Sequence, residues 1–331
     1  MNTLSHRFQQ AKTNTNLKLS CVLTAALLSA FPVAAQTSSQ AMRDLQTLAG
    51  ESMQGRGVGS EGSARAATYI IQRLNQLGLK PCDKDFIQEF TFKDRSGSDK
   101  IGKNIVACQT GSQASADKKD TIVVSAHYDH LGMRDKTIYF GADDNASGVA
   151  GVLAVAEQFK ANPPSNNIAY AFFDAEEIGL KGAMAFVAKN RIPAENIIVN
   201  LNFDMIARGD KNELFISGTH QNHAFKPLLA GLTGIDGIQV SFDHDKPEQG
   251  QNDWTNQSDH YAFYQRGIPH LYFGVEDHAD YHKPSDTADK VNPKFFDGAV
   301  KIVSKAAQLI DSAAAKIDFR TERKKYNNRN N

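Results

Sequence analysis

The sequence predicts an α/β protein, a three-layer sandwich around a mixed, largely parallel β-sheet. Three observations lead there. Short apolar runs of strand length, Thr121 to Ala126 (TIVVSA), Ile168 to Phe173 (IAYAFF) and Ile197 to Phe203 (IIVNLNF), alternate with stretches of helical periodicity. Acidic residues and imidazoles crowd the positions directly after these runs. No internal repeat or linker divides the 331 residues, of which 41% are hydrophobic, enough to bury a substantial core.

Residues 1–35 read as a secretory signal peptide. Arg7, Lys12 and Lys18 precede an apolar run from Leu19 to Phe31, and Val33, Ala34 and Ala35 supply the small residues of a cleavage site. The run is shorter than the roughly 20 residues that span a membrane, so no stable membrane association is expected after its removal. Basic and acidic residues balance at 37 each, and the signal takes three cations and no acid with it. That balance, with no block of like charge beyond a short basic tail, speaks against nucleic acid or an anionic membrane as partner. Cys21 falls inside the signal. Cys82 and Cys108 remain, either paired in an exported protein or present as two free thiols, and their spacing leaves both open.

A single catalytic domain is expected over 36–318. It opens with a helix near Met42 to Leu48 and a glycine-rich turn, GRGVGSEGS (55–63), which no strand precedes and which is therefore weak grounds for a nucleotide site. Ala67, Ile70, Ile71, Leu74 and Leu77 predict a helix that stops at Gly78. Strands follow at Phe86 to Phe92, Asn104 to Cys108 and Thr121 to Ala126, then a helix from Ala146 to Lys160. After the strand at 168–173 come a helix from Leu180 to Asn190, strands at 197–203 and 214–217, and a helix from Ala224 to Leu232. Strands at 238–242 and 270–273 and a last helix over 293–315 complete the domain. Residues 319–331 (FRTERKKYNNRNN) are polar and basic and are expected to be disordered.

The chemistry gathers at strand ends. TIVVSA runs into His127-Tyr128-Asp129-His130, IAYAFF into Asp174-Ala175-Glu176-Glu177, IIVNLNF into Asp204, and HLYFG leads towards His278 and His282. In open α/β sheets, ligands bind beyond the carboxyl ends of the strands. Imidazoles with carboxylates suit zinc, and a carboxylate shared between two ions relieves the repulsion of an acidic cluster such as Asp143-Asp144 in GADDNASG (141–148). Taken singly, an Asp-Asp-Asn turn is a helix cap and a Glu-Glu pair a solvated helix face. Their joint placement carries the argument.

HYDH, GADDNASG, DAEEIGLKG, LNFDM, SDHYAF and DYHKPSDT together resemble, in order, the motif series of the family-twenty-eight metallopeptidases of clan MH, the co-catalytic di-zinc aminopeptidases. The resemblance spans roughly residues 42 to 315 and implies the zinc-dependent exopeptidase fold. It makes His127 and Asp204 ligands of one zinc, Glu177 and His282 ligands of the other, and Asp144 the bridge, hence two Zn2+ per chain. It makes Glu176 the general base and Asp129 the carboxylate that orients His127, and it implies a cis peptide at Asp144-Asn145. Tyr281 is either an oxyanion donor or a packing residue. His130 and His260 either flank the ligands or serve the core or surface. His278 and His282 stand four apart, but Pro284 argues for a loop, and the resemblance selects His282.

The signal peptide implies a secreted or periplasmic protein, expected to be a monomer, and the resemblance implies that it hydrolyses N-terminal residues from peptides through a metal-activated water. Three alternatives share the fold: a di-zinc carboxypeptidase or dipeptidase, a glutaminyl cyclase, and a non-catalytic binding protein.

Overall fold

Strands buried on both faces belong in the middle of a sheet covered by helices. The computed structural model, which describes residues 38–94, 96–115, 119–189 and 192–321, follows that rule. The strands are β1 Lys80–Pro81, β2 Ile87–Lys93, β3 Asp99–Gln109, β4 Thr121–His127, β5 Met133–Arg134, β6 Thr137–Ile138, β7 Asn167–Phe173, β8 Ile197–Phe203, β9 Glu213–Ser217, β10 Gln239–Ser241 and β11 His270–Gly274. Every residue of β4, β8 and β11 is buried. These three strands and β7 lie side by side, all parallel, in the order β7-β4-β8-β11. On one flank β3 runs antiparallel to β7 and carries β1 and β2; on the other, β9 is antiparallel to β11 and parallel to β10. The sheet is mixed and largely parallel, as expected.

The helices are α1 Gln40–Leu48, α2 Glu61–Leu77, α3 Gly148–Ala161, α4 Lys181–Ala188, α5 Phe225–Leu229, α6 His260–Gln265 and α7 Pro293–Ala313. Alternate residues of β4 serve opposite faces, the period-two consequence of a pleated strand. Ile122, Val124 and Ala126 join Val149 and Leu153 of α3 and Ile302 and Val303 of α7 in one core. Val123 joins Phe173, Phe186 of α4 and Phe263 of α6 in the other. Each of the valine, leucine, isoleucine and phenylalanine side chains among these, fully buried, contributes about 1.5–3 kcal/mol. The helix ends are specified locally. The Ser60 hydroxyl accepts from the Ser63 N–H at the start of α2, which stops at left-handed Gly78; Asn292 accepts from the Phe295 N–H ahead of Pro293 at the start of α7.

Several expectations change. The helix expected from Ala146 begins at Gly148, because 142–147 form an irregular wide turn. The segment 224–232 splits into α5 and a 3-10 turn at Ala230–Leu232. The short α6 and the β5–β6 hairpin were not anticipated, being too brief to show a period. Cys82 and Cys108 form a disulfide, with Cα atoms 4.9 Å apart. The expected tail does not begin at residue 319: Phe319 is buried with its ring 4.8 Å from that of Phe225, and Arg320 pairs with Asp120 at 3.2 Å. The apolar ring takes Phe319 into the core in spite of its polar neighbours. The expected signal peptide and residues 322–331 lie outside the described residues. Among the described residues, no helix is long and apolar enough to cross a membrane.

Candidate active site

Pairing register brings the parallel strands to a common edge. His127 at the end of β4 pairs with Phe173 at the end of β7, and Phe203 of β8 pairs with Phe273 of β11. His127, Glu176, Glu177, Asp204 and the loop after β11 therefore issue from one edge of the sheet. The turn before α3 adds Asp144. All the sequence-selected ligands meet there.

Asp144 stands between two groups. Its Oδ1 lies 3.4 Å from His127 Nε2, which is 3.3 Å from Asp204 Oδ1. Its Oδ2 lies 3.1 Å from His282 Nε2, which is 3.2 Å from Glu177 Oε2. His130, buried rather than on the surface, is a second imidazole beside this latter group. Its Nδ1 is 2.6 Å from Glu177 Oε1, though not aligned as a hydrogen bond, and 3.6 Å from Asp144 Oδ2. His278 is no part of the cage, since its Nε2 faces Asp143 Oδ2 at 3.2 Å.

Asp129 engages His127 and the Glu176 turn together. The His127 Nδ1 meets the main-chain carbonyl of Asp129 at 3.1 Å, whereas the carboxylate is 3.7 Å away. The carboxylate also accepts the backbone N–H groups of Glu176 at 3.1 Å and Glu177 at 3.4 Å. With Nδ1–H donating to that carbonyl, Nε2 keeps its lone pair towards the cage.

Sequence reasoning missed three supports. Ser258 donates to Asp204 Oδ2 at 2.7 Å and ends a buried chain of hydrogen bonds through Asn202, Ser125 and Asn200. The SDH tripeptide was its visible trace. Asp286 accepts the N–H groups of Asp143 and Asp144, each at 3.1 Å, and ties the loop bearing His282 to the turn bearing Asp144. Arg56, from the glycine-rich turn, is wholly buried and donates only to carbonyls: Tyr128 at 2.8 Å, Leu48 and Phe140 at 2.7 Å, Gly141 at 2.8 Å and Asp144 at 3.5 Å. Two glycines permit this closeness. A Cβ on Gly55 would lie 2.2 Å from the Tyr139 carbonyl oxygen, and one on Gly141 2.1 Å from that of Asp144.

Backbone strain concentrates here. Ala175, Met205 and His282 all adopt left-handed φ values of 55–63°, beside Glu176, beside Asp204 and at a cage imidazole. Such residues cost about 1–3 kcal/mol each and persist where the surroundings over-determine them. The Asp144-Asn145 peptide is cis, as the resemblance implied.

Burial pushes the Glu176 carboxyl well above the carboxylate range; His127 opposes this, while Asp259, Asp204 and Glu177 add to it. For His282 burial works downward, but the neighbouring Asp144 and Glu177 carboxylates raise it to about 10. For Asp144 burial works upward, but His130, His127 and His282 hold it well below its usual value. Tyr281 stacks on His282 with ring centroids 3.9 Å apart, and its hydroxyl is raised by burial and then by Asp144 and Asp204.

The donor set fits divalent metal. Asp144 Oδ2, Glu177 Oε1 and Asp204 Oδ1 are buried with no hydrogen-bond partner, a costly state for carboxylate oxygens unless a cation serves them. Ligand atoms about 2.0–2.1 Å from a tetrahedral zinc are roughly 3.4 Å apart, close to the separations above. His127, Asp144 and Asp204 form one possible metal group, and His130, Asp144 and Glu177 another that shares Asp144.

Fold and cage together define the class: an α/β protein built like the zinc exopeptidases, with its candidate metal-binding residues gathered at the carboxyl edge of the parallel strands. More particularly, the chain belongs to peptidase family M28, whose family model matches residues 104–307. It is 25% identical over 246 residues to aminopeptidase YwaD of Bacillus subtilis, covering 70% of this chain and 50% of that one. Leupeptin-inactivating enzyme 1 of Streptomyces exfoliatus is 28% identical over 255 residues, again covering half of the relative. The chain thus spans about half the length of these curated relatives. Among solved structures, a zinc aminopeptidase from Bacillus subtilis shares the fold with a TM-score of 0.66 at 18% identity, over 81% of this chain and 93% of that one.

Proposed function

We propose that the chain is an exported di-zinc aminopeptidase that acts as a monomer on peptides. The observation that carries this reading is Asp144, whose two oxygens face separate imidazole–carboxylate groups. In it, His127, Asp144 and Asp204 would hold one zinc, and Asp144, Glu177 and His282 would hold the other. Bound zinc would supply Lewis acidity towards the scissile carbonyl and acidify an attacking water near neutral pH. Glu176, made basic by burial, takes the proton of that water and delivers it to the leaving nitrogen, a role typically worth about 10²–10⁴-fold. The Asp129 carboxylate holds the Glu176 backbone for this task. Tyr281 offers its hydroxyl to the developing oxyanion. Water adds across the C–N bond and releases the N-terminal amino acid and a shortened peptide. The Cys82–Cys108 disulfide supports export, since such bonds persist in oxidising compartments.

The test compares aminoacyl-anilides with N-acetylated peptides bearing free C-termini, using residues 36–331 with zinc and Glu176→Gln as control. Cleavage of the free-amine substrates alone, lost in the variant while zinc is retained, is expected. Cleavage of only the blocked peptides would keep the metal chemistry and replace the aminopeptidase with a carboxypeptidase. No cleavage of either, with two zincs bound, would leave a cyclase or a binding protein.

A further inference from the structure

Among the described residues, the exposed large hydrophobics are Ile101 and Met133, at 56% and 48% exposure. They come from different hairpins, β2–β3 and β5–β6, yet both line one open cleft of about 1280 Å³. Asp129, His130, Glu177 and His282 line it as well, so it is continuous with the cage. Val58, Phe92, Leu131 and Ile178 extend its apolar lining. Its rim charges are balanced, with Asp94 and Asp99 against Lys100 and Arg134, and already engaged in part: Lys100 lies 3.7 Å from Asp94, and the Arg134 guanidinium sits 5.0 Å from the centre of the Tyr139 ring outside the cleft lining. A smaller pocket of about 260 Å³ shares Gly59, Ser60 and Ile101 with the cleft and is floored by Ala67, Ile71 and Ile87.

We infer that this cleft binds the leaving part of the substrate, a peptide segment of several residues with apolar side chains. The inference rests on the aminopeptidase reading. In such an enzyme only one residue lies on the amino side of the scissile bond. A cleft larger than the roughly 300–1,000 Å³ of ordinary small-ligand sites, opening from the cage, therefore matches the carboxyl side, where the rest of the chain must go. Balanced rim charge gives no preference for a charged segment, whereas Ile101 and Met133 stand in water until apolar side chains cover them. The substrate class that follows is apolar oligopeptides, preferred over amino-acid amides and dipeptides.

The test measures kcat/KM for leucinamide, which has no leaving chain, and for Leu-Ala, Leu-Ala-Phe and Leu-Ala-Phe-Leu-Phe, in the zinc-loaded protein and in the Ile101→Ser/Met133→Ser double variant. Calorimetry of the pentapeptide on zinc-loaded Glu176→Gln, with and without the double substitution, reports binding apart from turnover. In the unsubstituted protein kcat/KM should rise with length, and the pentapeptide-to-leucinamide ratio should fall about 10-fold or more in the double variant. Equal values for leucinamide and the pentapeptide, or a ratio unmoved by the substitutions, would overturn the inference while leaving the aminopeptidase intact. If no substrate is cut, yet the pentapeptide binds Glu176→Gln and the substitutions weaken that binding about 10-fold, the catalytic reading fails and the cleft stands as a peptide site. If nothing is cut and the pentapeptide does not bind, both fall.

Discussion

The Asp129 carboxylate accepts the backbone N–H of Glu176 at 3.1 Å, while the carbonyl of the same Asp129 meets His127 Nδ1 at 3.1 Å. One residue thus fixes the positions of a cage imidazole and the proposed base. Asp129→Ala should lower kcat by about 10–100-fold, with the folded protein still binding zinc; Asp129→Asn, which keeps one acceptor, should lose less. Steady-state kinetics with zinc content measured alongside decides it. An alanine variant with unchanged kcat would mean that the Glu176 turn holds itself.

Arg56 is the buried cation behind the cage. Burial lowers its pKa to about 10, with Asp144 and Asp286 the leading opposing influences. Arg56→Met would leave five carbonyl oxygens short of their donor and should destabilise the protein by about 3–5 kcal/mol, read from urea unfolding. Lysine has too few donors in the wrong shape and should recover less than half. A methionine variant that unfolds with the unsubstituted protein would refute the clamp.

His260 governs part of the acid limit of stability. Burial lowers its pKa to about 4, although a backbone hydrogen bond to Trp254 favours its charged form. An unfolded histidine titrates near 6.5, so between these values the unfolded chain binds a proton that the folded one refuses. The stability His260 contributes is whole above about 6.5 and drains as pH falls towards 4, by on the order of 2–3 kcal/mol. His260→Gln should show a shallower fall in urea midpoint between pH 7 and 4.5, the difference from the unsubstituted protein cancelling titrations that the two share. Parallel curves would show that His260 does not carry the effect.

His130 shares the second carboxylate group with His282. His130→Ala should weaken metal binding at the group formed by His130, Asp144 and Glu177 by about 10–100-fold, as followed by competition of zinc with a chelating dye. An unchanged zinc affinity would make His130 a packing residue only.

The strand runs were legible because burial on both faces writes itself as uninterrupted apolar sequence, and β4, β7, β8 and β11 fall where TIVVSA, IAYAFF, IIVNLNF and HLYFG foretold. The cage residues were legible through motif order: His127, Asp144, Glu177, Asp204 and His282 all converge. The sequence by itself determined strand identity, the helix stop at Gly78 and the chemical inventory, because each depends on a residue and its near neighbours. Only the tertiary structure decided that Cys82 meets Cys108, that the Asp129 carboxylate also accepts from the Glu176 backbone, that Arg56 reaches five carbonyls, and that Ile101 and Met133 face one cleft. Those contacts join segments far apart along the chain, and hydrogen-bond direction, burial and the space between hairpins exist only once the sheet has brought those segments together.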